Sequence, residues 1–158
     1  MNDDLFHFRS VWRVHAPLVT VWNTVGKLTD YPQWWPGIAR VTLLTGHELP
    51  IAIGTKAAYE VRSPLYTLHY QTEIVSFQTG ASIAVAAQGD LEGTGAWTFS
   101  QQPGMTEATF DWNVRLRPPF LRTVSHVPGA KSIMRFFHDR LMAKGEEGLQ
   151  RILRERPE

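Results

Sequence analysis

His69 and Glu73 stand four residues apart in the alternating stretch YTLHYQTEIVSF, with Gln71 between them. Residues i, i+2 and i+4 of a strand share one face. An imidazole would therefore sit near a carboxylate, as in a general-base pair or two ligands of a metal site. The opposite face, Tyr66, Leu68, Tyr70, Thr72 and Ile74, is more apolar, which turns His69 and Glu73 towards solvent. Asp111, Asn113 and Arg115 repeat the pattern in ATFDWNVRL. Facing inward, Arg115 would offer a cation to a carboxylate or an enolate oxygen. Phe110, Trp112 and Val114 are the more apolar set, however, and favour a solvated Asp111–Arg115 face. His7, His15, His47, His126 and His138 show neither HExxH nor another paired-ligand spacing, so no metal site is expected. His138 and Arg135 would reach a cavity mouth only from one side of the last helix, where solvent exposure is the commoner outcome. A Gly-x-Ser-x-Gly elbow is absent. GDLEGTG carries acidic residues where a phosphate cradle would hold anions.

The rings are the other candidate chemistry. Six Trp, eight Phe and four Tyr in 158 residues are enough to build either a ring-lined ligand cavity or a core in which every ring touches another. The candidate ligand-binding residues are Trp12, Trp35, Tyr59, Tyr70, Trp97, Phe110, Trp112, Phe137 and Leu141. The hydroxyls of Tyr59 and Tyr70 would fix orientation. No catalytic residue is assigned, and no cofactor is expected. Trp34-Trp35, flanked by prolines, would either gate one end of a cavity or staple the short helices to the sheet. Gly93 and Gly95 share a strand face with Trp97, and Gly145 and Gly148 share the inner stripe of the last helix. Their missing side chains leave room for a ligand or for close packing.

Several elements must position these residues. LFHFRSVWRV alternates Phe6, Phe8, Ser10, Trp12 and Val14 against His7, Arg9, Val11 and Arg13, a half-buried strand over 5–14. Pro17 opens an amphipathic helix to about Leu28, with Val21, Trp22 and Val25 on one face. Asp30 is placed to cap a second short helix, with Pro32 near its start and Pro36-Gly37 ending it. Turns at Gly46–Pro50, Gly54, Ser63-Pro64, Thr79-Gly80, Gly89-Asp90 and Pro103-Gly104 then divide six strands, seven in all. Arg117-Pro118-Pro119 ends the last of them. Residues 120–130 are ambiguous, with Pro128-Gly129 as a kink or a boundary. From about Lys131 to Arg154 the period is helical, with Ile133, Phe136, Phe137, Leu141, Gly145, Gly148, Leu149, Ile152 and Leu153 on one stripe. Arg135, Asp139, Lys144, Glu146 and Arg151 fall on the remaining surface. One helix cannot cover seven strands laid flat, but a curled sheet would hold it in its concave side and leave an elongated apolar cavity.

The length suits a single domain over residues 1–158. Sixteen basic against 15 acidic residues, a net charge of +1, calls for no nucleic-acid partner. Zero cysteines exclude disulfides and thiolate sites and fit a reducing cytosol. MNDDLFHFRS shows no secretory signal, and no stretch approaches the roughly 20 apolar residues that cross a bilayer. The expectation is a cytoplasmic monomer or homodimer without integral membrane association.

This order of elements resembles the START-like, or SRPBCC, superfamily, in its bacterial polyketide cyclase/dehydratase-like branch. The resemblance rests on Ala16-Pro17 with Val21-Trp22, on Tyr31-Pro32-Gln33-Trp34-Trp35-Pro36-Gly37, on Gly89-Asp90-Leu91-Glu92-Gly93-Thr94-Gly95-Ala96-Trp97, and on Met142-Ala143-Lys144-Gly145-Glu146-Glu147-Gly148-Leu149. It spans nearly the whole chain. It implies an α+β helix-grip fold, a seven-stranded curled antiparallel sheet wrapped around a long C-terminal helix, with two short helices after the first strand. It also implies a cavity for a small hydrophobic molecule. The expected function is binding or transport of a lipid, polyketide-like or isoprenoid ligand. The alternative is a cyclase or dehydratase acting on an aromatic precursor, for which Tyr59, Tyr70, Arg115 and His69 are the titratable nominees.

Overall fold

The computed structural model describes residues 5–48, 50–64 and 66–155, and at 120, 121 and 125 the backbone alone. The amino-terminal reading of residues 1–4, and Leu49 within the Gly46–Pro50 turn, lie outside the described residues. The chain runs β1 (Leu5–Val14), α1 (Leu18–Gly26), a 3-10 turn (Leu28–Asp30), α2 (Tyr31–Trp34), β2 (Ile38–Thr45), β3 (Lys56–Arg62), β4 (Thr67–Gln78), β5 (Ser82–Gly89), β6 (Leu91–Gln102), β7 (Met105–Leu116), α3 (Pro119–Ser125) and α4 (Ala130–Glu155). The strands form one antiparallel sheet in the order β1-β7-β6-β5-β4-β3-β2. This is the expected α+β helix-grip arrangement.

Alternation makes the inner face. Phe6, Phe8, Trp12 and Val14 are buried, while Leu5, Arg9, Val11 and Arg13 are exposed. Register shifts between Ile38 and Arg40, Leu43 and Thr45, and Ile74 and Ser76 place bulges in β2 and β4, the irregularities that bend a sheet. α1 is shorter than the period suggests, and the Asp30 side chain caps nothing. Asp30 lies in helical backbone (φ −87°, ψ −10°), inside the preceding 3-10 turn, whereas a capping residue needs extended geometry. Its carboxylate instead lies 3.8 Å from Lys27 Nζ and accepts a hydrogen bond from Gln33 Nε2 at 3.3 Å.

α4 has 26 residues, about 39 Å at 1.5 Å per residue. Its side chains bond the free edge of β1. The Arg13 amide N–H donates to Glu146 Oε2 at 2.8 Å, and that of His15 to Gln150 Oε1 at 2.7 Å. Arg135 Nη2 donates to the His7 carbonyl at 3.4 Å. An edge strand's unpaired groups are thereby satisfied along the helix. Glu146, expected on the outer surface, is drawn to this edge by the open N–H of Arg13. Met142, Gly145, Gly148, Leu149 and Ile152 are buried. Ile133 and Phe136 are not: they are 50% and 59% exposed, so the inner stripe does not run the helix's full length.

Candidate functional site: an apolar cavity under the first half of α4

At one end the groove between sheet and helix is filled. Trp12 meets Trp35 at 4.9 Å and Trp97 at 5.0 Å between ring centroids, and Trp34 at 6.2 Å, all edge-on. Trp35 Nε1 donates to the carbonyl of Leu141 at 2.9 Å. α4 tolerates this approach because it carries glycines there. A Cβ on Gly145 would lie 2.6 Å from Trp35 Cε2 and 2.7 Å from Trp12 Cζ2, and one on Gly148 would overlap the Trp34 carbonyl. The gap at Gly95 is likewise occupied, with Trp112 Cε3 2.6 Å from where a Cβ would stand. These three glycines accommodate rings and backbone, and Trp34-Trp35 anchors the short helices to α4.

At the other end a cavity of about 540 Å³ stays open. Phe6 and Phe8 of β1, Trp112, Val114 and Leu116 of β7, Leu91 of β6 and Leu68 and Tyr70 of β4 wall it. Met134, Phe137, His138 and Leu141 of α4 cover it. Its rim brings Arg62, Ser63 and Pro64, at and after the end of β3, opposite Phe136, Arg140 and Lys144 of α4.

Of the candidate residues, Tyr70, Trp112, Phe137 and Leu141 line this cavity. Trp12, Trp35, Tyr59, Trp97 and Phe110 lie in the core behind it or at the filled end. Tyr59 stacks on Tyr70 at 5.2 Å and Phe110 on Trp112 at 5.4 Å, so two of them back the wall. Burial pushes the Tyr59 hydroxyl up to about 12, against a hydrogen bond to Thr72 that pulls it down, and burial raises Tyr70 also. Both phenols are neutral donors at pH 7. His69 is exposed and Glu73 half-buried, and neither lines the cavity. Asp111 pairs with Arg9 at 3.7 Å, and Arg115 too stands outside the cavity. Among the described residues no cluster of His, Cys, Asp or Glu could hold a metal ion.

His138, weighed as a solvent-facing residue, is part of the roof. Its ring stacks on Phe8 at 4.1 Å, its side chain is 13% exposed, and its Nδ1 is buried without a hydrogen-bond partner. Asp139 Oδ1 stands 3.7 Å from that nitrogen, too far for a hydrogen bond. Burial lowers the imidazole to about 4, with Asp139 opposing, so the ring is neutral at pH 7. The signal was in the spacing: Met134, Phe137, His138 and Leu141 stand at i, i+3, i+4 and i+7, one helical stripe.

Residues 6–146 match the family described as polyketide cyclase/dehydrase and lipid transport. No curated protein matches the sequence. Among solved structures, the di-domain ARO/CYC BexL from the BE-7585A biosynthetic pathway superposes with a TM-score of 0.74 at 18% identity, over 98% of this chain and 52% of that one. This chain thus spans about half of that protein. A START superfamily protein from Mycobacterium smegmatis gives 0.73 at 17% identity, over 94% of this chain and 97% of that one. The Zhui aromatase/cyclase from Streptomyces sp. R1128 gives 0.70 at 13% identity, over 92% of each chain. Identities this low speak for the fold alone, and the family match over most of the sequence carries the assignment. With the helix-grip sheet and its apolar hollow in agreement, the chain belongs to the polyketide cyclase/dehydrase and lipid-transport family.

Proposed function

We propose that the protein binds a small hydrophobic molecule, a lipid, polyketide-like or isoprenoid compound, in the cavity under the first half of α4. The observation that carries this reading is an apolar hollow of about 540 Å³ left open in a groove that is packed solid at its other end. Each methylene removed from water contributes about 0.8 kcal/mol. A dozen buried methylenes therefore contribute roughly 10 kcal/mol, enough to offset much of the 4–15 kcal/mol cost of association. Binding needs no catalytic group on this account. We place the protein in the cytoplasm, as a monomer or homodimer without a nucleic-acid partner; the lack of cysteine and the net charge of +1 support this. No helix among the described residues is long and apolar enough to cross a membrane.

A second reading, cyclase or dehydratase chemistry, is favoured by one observation, the neutral His138 in the roof. A neutral imidazole accepts a proton, and the Tyr70 hydroxyl in the same cavity donates a hydrogen bond to a carbonyl oxygen. The names of the aromatase/cyclase neighbours agree with this reading.

Titration with Nile red, a neutral hydrophobic dye, tests the binding site. The wild type takes up one dye saturably, and Leu68→Trp, which fills the cavity from β4, weakens uptake at least roughly tenfold, about 1.4 kcal/mol, with little change in melting temperature. Dye binding indifferent to Leu68→Trp in a folded variant overturns the assignment of the site.

A further inference from the structure

We infer that the ligand is an amphiphile with an acidic head group, a carboxylate or phosphate monoester, held at the cavity mouth by Arg140 and Lys144. This rests on the cavity being the ligand site. The whole chain is nearly balanced in charge, 16 basic against 15 acidic residues. The cavity is not. Among the described residues its lining contains Arg62, Arg140 and Lys144 and no Asp or Glu. Some of the cations elsewhere are paired: Arg9 with Asp111, Arg13 with Glu107, Lys27 with Asp30, Arg117 with Glu92 and Arg151 with Glu155. At the mouth Arg62 pairs with Glu60 at 2.9 Å. Arg140 and Lys144 have no acidic partner among the described residues.

These two cations stand at i and i+4 on α4, where like charges repel. An oxyanion between them removes that repulsion. A guanidinium presents a fork that matches a carboxylate or phosphate, and the lysine adds a mobile point charge. The interior offers the opposite environment: Phe8, Leu68, Leu91 and Leu116 accept a tail and nothing charged. Head at the rim and tail within is the one orientation that leaves no charge buried without a partner.

Equilibrium binding of four dodecyl probes below their micellar concentrations tests this: laurate, dodecyl phosphate, dodecanol and dodecyltrimethylammonium. Each is titrated into wild type and into Arg140→Gln/Lys144→Gln, with circular dichroism confirming the fold. In the wild type one or both acids bind about 5- to 10-fold tighter than dodecanol, and dodecyltrimethylammonium binds weakest. The stronger acid names the head group. The double variant abolishes that preference and leaves dodecanol unchanged. Because the mouth is exposed, the preference shrinks between 0.01 and 0.15 M salt. Equal affinity for acid and alcohol in the wild type overturns the head-group assignment and leaves the cavity reading standing, as does equal weakening of all probes in the double variant. Failure of every probe to bind folded wild type overturns both.

Discussion

The two halves of α4 lie over the same sheet and meet opposite conditions. Beneath the second half, α2 enters the groove, and Trp34 and Trp35 close against Gly145 and Gly148 while Trp12 and Trp97 fill the space below. Beneath the first half no described element enters. His138 stacks on Phe8, while Met134, Phe137 and Leu141 line the hollow together with Leu68 and Leu116. The open end is walled largely by Phe, Leu, Tyr and Trp side chains, so small residues alone do not make the cavity. It exists because a short helix plugs one end of the groove and none of the described residues plugs the other. The glycines of α4 therefore mark the plug. This is the reverse of the usual inference that a missing side chain marks a ligand's place.

That contrast breaks first at Trp12. Trp12→Ala opens a void at the filled end, where its ring is 2% exposed, and should cost about 3–5 kcal/mol in urea unfolding. A cost under about 1 kcal/mol would mean the filled end is as loose as the open one. The open end responds to pH instead. His138 titrates near 4 when folded and at its ordinary 6.5 when unfolded, so between these values the unfolded chain binds the extra proton. Stability attributable to this group is intact above pH 6.5 and falls as pH drops towards 4, by roughly 2–3 kcal/mol. Comparing the stability of wild type and His138→Phe at pH 7 and pH 4.5 isolates the effect, because the variant lacks it. The smallest effect is expected at Phe136, 59% exposed at the rim. Phe136→Ser should change stability by under about 0.5 kcal/mol. A larger loss would show that the first half of α4 depends on a contact at its outer side.

Much of this was legible in the chain. β1 alternates without interruption, and its Phe and Trp face inward as the period requires. Each strand boundary falls at a Gly, Pro or Asp-rich turn. α1 and α2 were harder, because Asp30 has the right type for a cap and the wrong backbone. The cavity wall was half legible: Tyr70, Trp112, Phe137 and Leu141 line it, whereas Trp12, Trp35, Tyr59, Trp97 and Phe110 sit on equally apolar faces yet lie behind or beyond it. Periodicity assigns a residue to a face and is silent about how far along the groove that face stays covered. His138 escaped because its polarity outweighed its place on the stripe.

The sequence by itself therefore determined the seven-stranded sheet, the long closing helix and which side of each strand turns inward, since these follow from local period and turn chemistry. The tertiary structure alone decided which inward residues touch each other and which face empty space. It did so because Trp34 and Trp35 reach α4 at Leu141, Gly145 and Gly148, more than a hundred residues further along the chain.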